Sequence, residues 1–368
     1  EPFKSLKFLK NFLHLPNIAE SWMYDNVKGD IKIEELYAEY DLINNHIIEN
    51  SIQGKAQIKD AKIRFHKDVD AVNTKSLDIF FKDNRLHFNL MEPMFKDKKL
   101  DGSFVLINNL TSEKNGQVDV FLKTNSKLDK DILDILKAYN ITLPIIQKNG
   151  NTQASLLMKF PYDTTKNMST YGEFFLNDAK VAINNFEFES KNAEVILDDS
   201  IIKIKNSDFK YKDMINATLN LNLDIKTLKS YGDANIKSFL IKEENKESLV
   251  EIKDKNTAID LNFNNEVSIL LKDLGTNIKI SDLIYVNIDD LSKIYPYSKL
   301  LKDNSIKEGI VALQIKDEKN INFEAFIKGL NLPLQKNDTN IDSLEINGKI
   351  EDGKTKISSK DEDIKIEI

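Results

Sequence analysis

Leu219-Asn220-Leu221-Asn222-Leu223-Asp224-Ile225 alternates apolar and polar residues without a break. The same period of two returns in Ile259-Asp260-Leu261-Asn262-Phe263 and Ile321-Asn322-Phe323-Glu324-Ala325, and it runs through almost the whole chain. Side chains of a strand point alternately to opposite faces, so each such run is a ribbon with one greasy and one wet face. A globular protein covers a greasy face with helices or with a second sheet. Few segments here read as helices. The greasy face therefore closes on itself or is kept for something else.

Composition narrows the classes. The chain has 368 residues, 41% hydrophobic and 30% charged, which is globular rather than disordered. Only 12 Gly and 7 Pro serve many turns, and Asn and Asp take over in Lys82-Asp83-Asn84 and Leu197-Asp198-Asp199-Ser200. Both tolerate left-handed geometry. Net charge is −7 with acids and bases interspersed, and no basic stripe carries interleaved aromatics, which argues against nucleic acid as a partner. There is no Cys, so disulfides, thiolate metal sites and Cys nucleophiles are excluded together. No apolar run reaches the roughly 18 residues of a membrane span, and no signal peptide is visible. The chain opens on Glu1 and stops inside an alternating run at Ile368, which reads as a fragment of a longer protein.

Three segments have helical spacing: about Ser5 to Val27, Lys127 to Tyr139 with Leu128, Ile132, Ile135 and Leu136, and Ile288 to Leu301 with Leu291, Ile294 and Leu300. Each is followed by a Gly that opens a strand, at Gly29, Gly150 and Gly309. The second and third units keep one offset, since Asp131/Asp290, Ile135/Ile294 and Gly150/Gly309 are each 159 residues apart. A second repeat is closer in sequence. Gly54-Lys55-Ala56-Gln57-Ile58-Lys59-Asp60-Ala61-Lys62-Ile63 returns 118 residues later as Gly172-Glu173-Phe174-Phe175-Leu176-Asn177-Asp178-Ala179-Lys180-Val181. Self-similarity of this kind marks a stacked architecture. The expected organisation is a helical segment over 1–30, β-modules over 31–125, 126–285 and 286–368, and a helix at the head of each of the last two.

Catalytic signatures are missing. The four His (His14, His46, His66, His87) lack zinc spacing, and no nucleophile elbow or phosphate loop occurs. Asp198-Asp199, Asp289-Asp290 and Asp361-Glu362-Asp363 read as solvated turns or helix starts. The reading is no enzyme, no catalytic residue, no metal and no cofactor. What remains is surface. Ile58, Ile63, Phe65, Leu77, Ile79, Leu86 and Phe88 fall on one face of the first module. Leu156, Met158, Phe174, Leu176, Val195, Leu197, Ile202, Ile204, Leu219, Leu221 and Leu223, then Leu261 and Phe263, continue it. The expected fold is mainly β: a long, curled antiparallel sheet that leaves an open apolar groove, with a few short helices. Some twenty strands at about 4.8 Å would make a trough on the order of 100 Å long. The alternative is a β-rich envelope scaffold whose core is self-packed. A hydrolase on a β-solenoid would need carboxylates clustered on one sheet face, and here they sit mainly in turns.

The order of motifs resembles the AsmA-like YhdP proteins. Leu15-Pro16, Trp22 and Gly29 resemble the entry to that family's central region, where a short helix precedes a Gly-led strand. Lys148 to Asp163, followed by Gly172 to Val181, is similar to the family's pattern of a Gly-led strand ending in Pro and a second Gly-led strand. The resemblance covers residues 10 to 225. It implies a periplasmic protein anchored in the inner membrane by an N-terminal helix outside this chain, with TamB-type relatives. It implies a taco-shaped β-groove along which phospholipid passes between inner and outer membranes, its acyl chains on the apolar face. Outer-membrane components are the further partners it leaves open. No catalytic residue follows from it.

Overall fold

The computed structural model describes residues 17–367 apart from 111, 113–114, 140–144, 184–185, 243–247, 265, 318–319, 330–342, 352–353 and 361–364. The first part of the Ser5–Val27 helix and the Asp361–Asp363 turn lie outside the described residues. Mainly β structure is what forms, as one long antiparallel sheet that does not close into a barrel. Two units are distinguished: residues 1–143, 149–177 and 194–199 in the first, and 144–148, 178–193 and 200–368 in the second.

The first unit begins with helix α1 (Asn17–Tyr24). Its strands are β1 (Val27–Asp41), β2 (His46–Ile63), β3 (Val72–Lys82), β4 (Arg85–Met91), β5 (Met94–Phe95), β6 (Lys98–Lys99), β7 (Phe104–Asn108) and β8 (Gln117–Ser126). Helix α2 (Lys130–Ala138) and most of β9 (Ile145–Pro161) and β10 (Ser169–Ile183) follow. Antiparallel pairing runs β1–β2–β3–β4–β7–β8–β9–β10, and the small β5–β6 hairpin branches from β3 at Asn73. One face carries the apolar positions in register, as in Ile79, Phe88, Val105, Val120 and Met158 across five strands. That face is closed. Ile58, Leu77, Ile107, Val118 and Val120 have no exposed surface, and Trp22, Phe95, Leu100 and Tyr162 join the same cluster.

Helix α2 sits on that cluster through Ile135 and Ala138, with Ile132 and Leu136 half-buried. Asp129 caps it by accepting from the N–H groups of Asp131 and Ile132. Lys98, only 4% exposed, reaches Asp129 at 2.9 Å and Asp131 at 3.4 Å, so the β5–β6 hairpin and the first turn of α2 are joined by a buried charge. An unpaired ammonium there would be strongly destabilising.

The second unit holds most of β11 (Phe186–Asp198), then β12 (Ile201–Tyr211), β13 (Ile215–Asp224), β14 (Lys229–Lys242), β15 (Ser248–Asn262), β16 (Val267–Leu271), β17 (Thr276–Ile280) and β18 (Ile284–Ile288). Helices α3 (Leu291–Ile294) and α4 (Lys299–Asp303) precede β19 (Glu308–Asp317), β20 (Asn320–Lys328), β21 (Ser343–Glu351), β22 (Lys354–Ser359) and β23 (Lys365–Glu367). From β12 onward every strand pairs with the next in sequence, antiparallel throughout.

The helix expected over Ile288–Leu301 is shorter and broken. Ile288 ends strand β18, Asp290 caps α3, Pro296 falls in a 3-10 turn over Tyr295–Tyr297, and Ser298 caps α4 afresh. Leu301, seven residues after Ile294, is buried with Leu291 and Ile294, while the expected Leu300, nine residues after Leu291 and so on the opposite side, is 51% exposed. Gly309, which opens β19, has φ +147, and a Cβ there would lie 2.3 Å from the carbonyl oxygen of Phe326. Gly29, near the head of β1, has φ +146, and a Cβ there would lie 2.5 Å from the Ile58 side chain and 2.8 Å from the carbonyl oxygen of Lys59.

The 118-residue repeat has a backbone cause. Asp60 and Asp178 both take left-handed φ, at 47° and 44°, inside their strands, and the Ala that follows each is buried. An extra residue in a strand is a β-bulge, and it moves the apolar positions from one parity to the other. Thus Ile58 is succeeded by Ile63, and Leu176 by Val181. Asn206 (φ 42°) does the same in β12, between Ile204 and Ser207, and Asp254 in β15 also takes left-handed φ, at 49°.

Candidate functional site

The second unit holds a row of cross-strand neighbours that extends the Leu219–Ile225 pattern. Ile202 of β12 faces Leu223, which faces Ser230, Leu261, Ile269 and Ile278 on successive strands. The row goes on through Val286, Leu313, Phe323 and Gly348 to Ile357 of β22. At about 4.8 Å per strand it spans roughly 50 Å. One residue along each strand, on the opposite face, the row reads Asn222, Tyr231, Asp260, Leu270, Asn277, Asn287, Ala312, Glu324 and Asn347, and is mostly polar. The period of two is thus kept across strands as well as along them.

Coverage differs from row to row. The neighbouring row on the apolar face includes Leu271, Ile288, Val311, Ala325 and Ile346, and against it pack Leu291, Ile294 and Leu301 of the two short helices. Leu221, Ala234 and Ile259 form a smaller cluster of their own. By contrast Ile278, Val286, Leu313, Phe323 and Ile357 belong to none of these clusters and are partly exposed. These five partly exposed apolar positions make the strip a candidate binding surface. The strip carries no ionisable side chain. Its attraction for a ligand is non-directional and grows with buried area, at about 25 cal/mol per Å².

Phe323 lies flat because its cross-strand neighbour is Gly348, where a Cβ would stand 1.9 Å from the ring. The ring therefore covers the glycine backbone instead of standing up from the sheet.

The residues singled out by alternation fall into two groups. In the first unit Ile58, Ile63, Leu77, Ile79, Leu86, Phe88 and Met158 are core, with Phe65 and Leu156 packed against them. Also there, Phe174, Leu176 and Val195 are half-buried and Leu197 is buried. In the second unit Ile202, Leu223 and Leu261 lie in the long row. Ile204, Leu219 and Leu221 lie beside it. Phe263 follows β15, its N–H bonded to the carbonyl of Leu228 at 2.9 Å. Alternation alone missed Ile269, Ile278, Val286, Leu313 and Ile357, although Val267–Leu271 and Ile284–Ile288 show the signal in short strands.

Shifted ionisable groups lie elsewhere. Burial and hydrogen bonds act on Lys98 in the first unit, and burial alone pushes the Tyr139 hydroxyl up to about 12. Among the described residues no three His, Asp or Glu converge as a metal site, and no helix is long and apolar enough to cross a membrane.

No curated protein and no solved structure matches the chain. The family described as YhdP protein matches residues 15–293, from before the first described helix to α3. That family is envelope-associated and of a non-enzymatic, transport type. With three quarters of its length matched and an open antiparallel sheet as its fold, the chain belongs to the YhdP family.

Proposed function

We propose that this chain is a stretch of periplasmic track along which phospholipid travels between inner and outer membranes, held to the inner membrane by a helix outside these residues. The partly exposed stretch of the row from Ile278 through Val286, Leu313 and Phe323 to Ile357 carries the reading. Acyl chains lie along it and headgroups stay in water. A floor with no charge and no hydrogen-bonding pocket suits a ligand that must slide, because successive positions are nearly equal in energy. Membership of a transport-type envelope family supports the same reading.

The test is photo-crosslinking with a benzophenone amino acid at Leu313, on the row, and at Asn287, on the other face. Phospholipid adducts at 313 and none at 287, with phospholipid co-purifying in native mass spectrometry, are the expected result. Equal labelling at both positions, or a lipid-free protein, refutes it. A second reading, a scaffold with a self-packed core, is favoured by the closed cluster around Phe88 in the first unit. It predicts no adduct at 313.

A further inference from the structure

The β1–β2 hairpin runs on past its neighbour. Strand β3 pairs with β2 only from Gly54, opposite Phe81, to Ile63, while β1 and β2 stay paired with each other out to Asp41 and His46. On this outer ribbon Leu36, Tyr37, Tyr40 and Ile48 are 40–58% exposed, and Leu42 and Ile43 at the tip are 86% and 93% exposed. The tip is built. Asp41 accepts from the N–H groups of Ile43 and Asn44, Asn45 takes φ +55, and Tyr40 donates to Asn45. Two aliphatic side chains are thus held out in water by an organised turn. Ordering residues costs conformational entropy, and a contiguous exposed apolar patch marks an interaction site.

Charge says what the site takes. From Ile33 to Gly54 the sequence carries Glu34, Glu35, Glu39, Asp41 and Glu49 and no Lys or Arg, in a chain with 52 Lys and Arg among 368 residues. Lys55 pairs with Glu34 at 3.0 Å and also acts on Glu35, at the inner end of this run. Such a ribbon is repelled by anionic lipid surfaces. A second copy would bring the same carboxylates against it, and like charges across an interface suppress pairing. We propose that the outer β1–β2 ribbon is a docking element for a segment of another protein in which Lys or Arg alternates with aliphatic or aromatic residues. Such a segment lies as an added strand or across the ribbon, its cations on the carboxylates and its apolar side chains on Leu36, Tyr40 and Leu42.

The probe is a synthetic twelve-residue peptide of alternating Lys and Val, with its Glu–Val counterpart as control, titrated into the whole chain. Two variants are compared, Glu35→Lys/Glu39→Lys and Leu42→Ser/Ile43→Ser. Both change only exposed positions, and circular dichroism checks their fold. The expected result is binding of the Lys–Val peptide, at least tenfold weaker in each variant, with hydrogen-exchange protection gained within residues 35–53. Four results overturn the proposal: no binding, equal binding by wild type and variants, protection gained elsewhere, or equal affinity for the Glu–Val peptide. Binding to phosphatidylglycerol vesicles that Leu42→Ser/Ile43→Ser abolishes would make the tip a membrane contact instead. Self-association abolished by the same variant would make it a contact between copies.

Discussion

Replacing Gly309 by Ala tests how the second unit holds its helices at a fixed height over the sheet. The added Cβ would stand 2.3 Å from the Phe326 carbonyl oxygen, 3.1 Å from Ile327 Cα and 3.1 Å from Leu291 Cδ1. Two of those three atoms are backbone of the neighbouring strand and cannot swing away. The residue also sits at φ +147, a region that L side chains rarely adopt. Strained backbone of this kind costs roughly 1–3 kcal/mol, and forcing the strands apart adds about 1–3 kcal/mol. Gly329, which follows β20, is the control. Its φ is +69, and nothing lies within 4 Å of where a Cβ would stand, so Gly329→Ala carries only the left-handed penalty of about 1–2 kcal/mol. The two variants should differ by about 2–3 kcal/mol, or roughly 30- to 150-fold in an opening equilibrium, at 1.36 kcal/mol per decade. Native-state hydrogen exchange reads this directly, because opening is local in a sheet that meets mainly its sequence neighbours. Amides of β19 and β20 should lose protection by that factor in Gly309→Ala relative to Gly329→Ala, while β2 and β3 are unchanged. Equal loss in the two variants would refute the argument that close approach, and not φ alone, fixes this site.

Leu301→Ala should cost about 2–4 kcal/mol because the side chain is buried, and Leu300→Ala should stay within about 0.5 kcal/mol; urea titration of both checks the helical phase. Gly348→Ala should lift the Phe323 ring off the sheet and reduce lipid adducts at position 313, read by the crosslinking yield, with Ser358→Ala on the polar face as the neutral comparison. Acid should loosen α2. Hydrogen bonds from Lys96 and Lys98 hold the Asp131 and Asp97 carboxyls below their usual range, so their contribution is present above about pH 3.9 and is lost as pH falls through the lowered values. Lys98 has the opposite sign. Burial alone would lower its pKa, but bonds to Asp97 and Asp129 raise it, so its contribution holds below about pH 10.4 and is lost only beyond the raised value. Exchange protection of residues 130–138, corrected for intrinsic rates, should be flat from pH 5 to 9 and fall below about pH 4. Loosening between pH 6 and 8 would count against the Lys98 cluster as the fastening.

The strand pattern was legible because alternation is a local property: Leu219–Ile225 can bury one face in no other conformation. The bulges were not read from the sequence, although the apolar set steps from Ile58 to Ile63 and from Leu176 to Val181 with a change of parity at the repeated Asp-Ala-Lys. Helix phase was legible, yet the expectation fell on Leu300. Leu300 stands nine residues from Leu291, on the opposite side of a helix, whereas Leu301 stands seven from Ile294 and shares its face, so Leu301 was the better choice even from spacing. Coverage was not legible at all. Phe88 and Leu313 have the same sequence signature, yet one is core and the other half-open, because what lies over a face comes from segments distant in sequence. Phe88→Asp consequently tests folding of the first unit, whereas lipid contact is tested at Leu313.

Strand-by-strand pairing from β12 to β23 has a consequence for length. Each strand hydrogen-bonds to its predecessor and successor, so removing or adding one hairpin keeps the up–down order and leaves the apolar face on the same side. Two strands change the span by about 10 Å. Such a chain behaves as a ruler with a fixed graduation: its reach can be set in hairpin-sized steps while the surface that a ligand meets stays in phase from one end to the other.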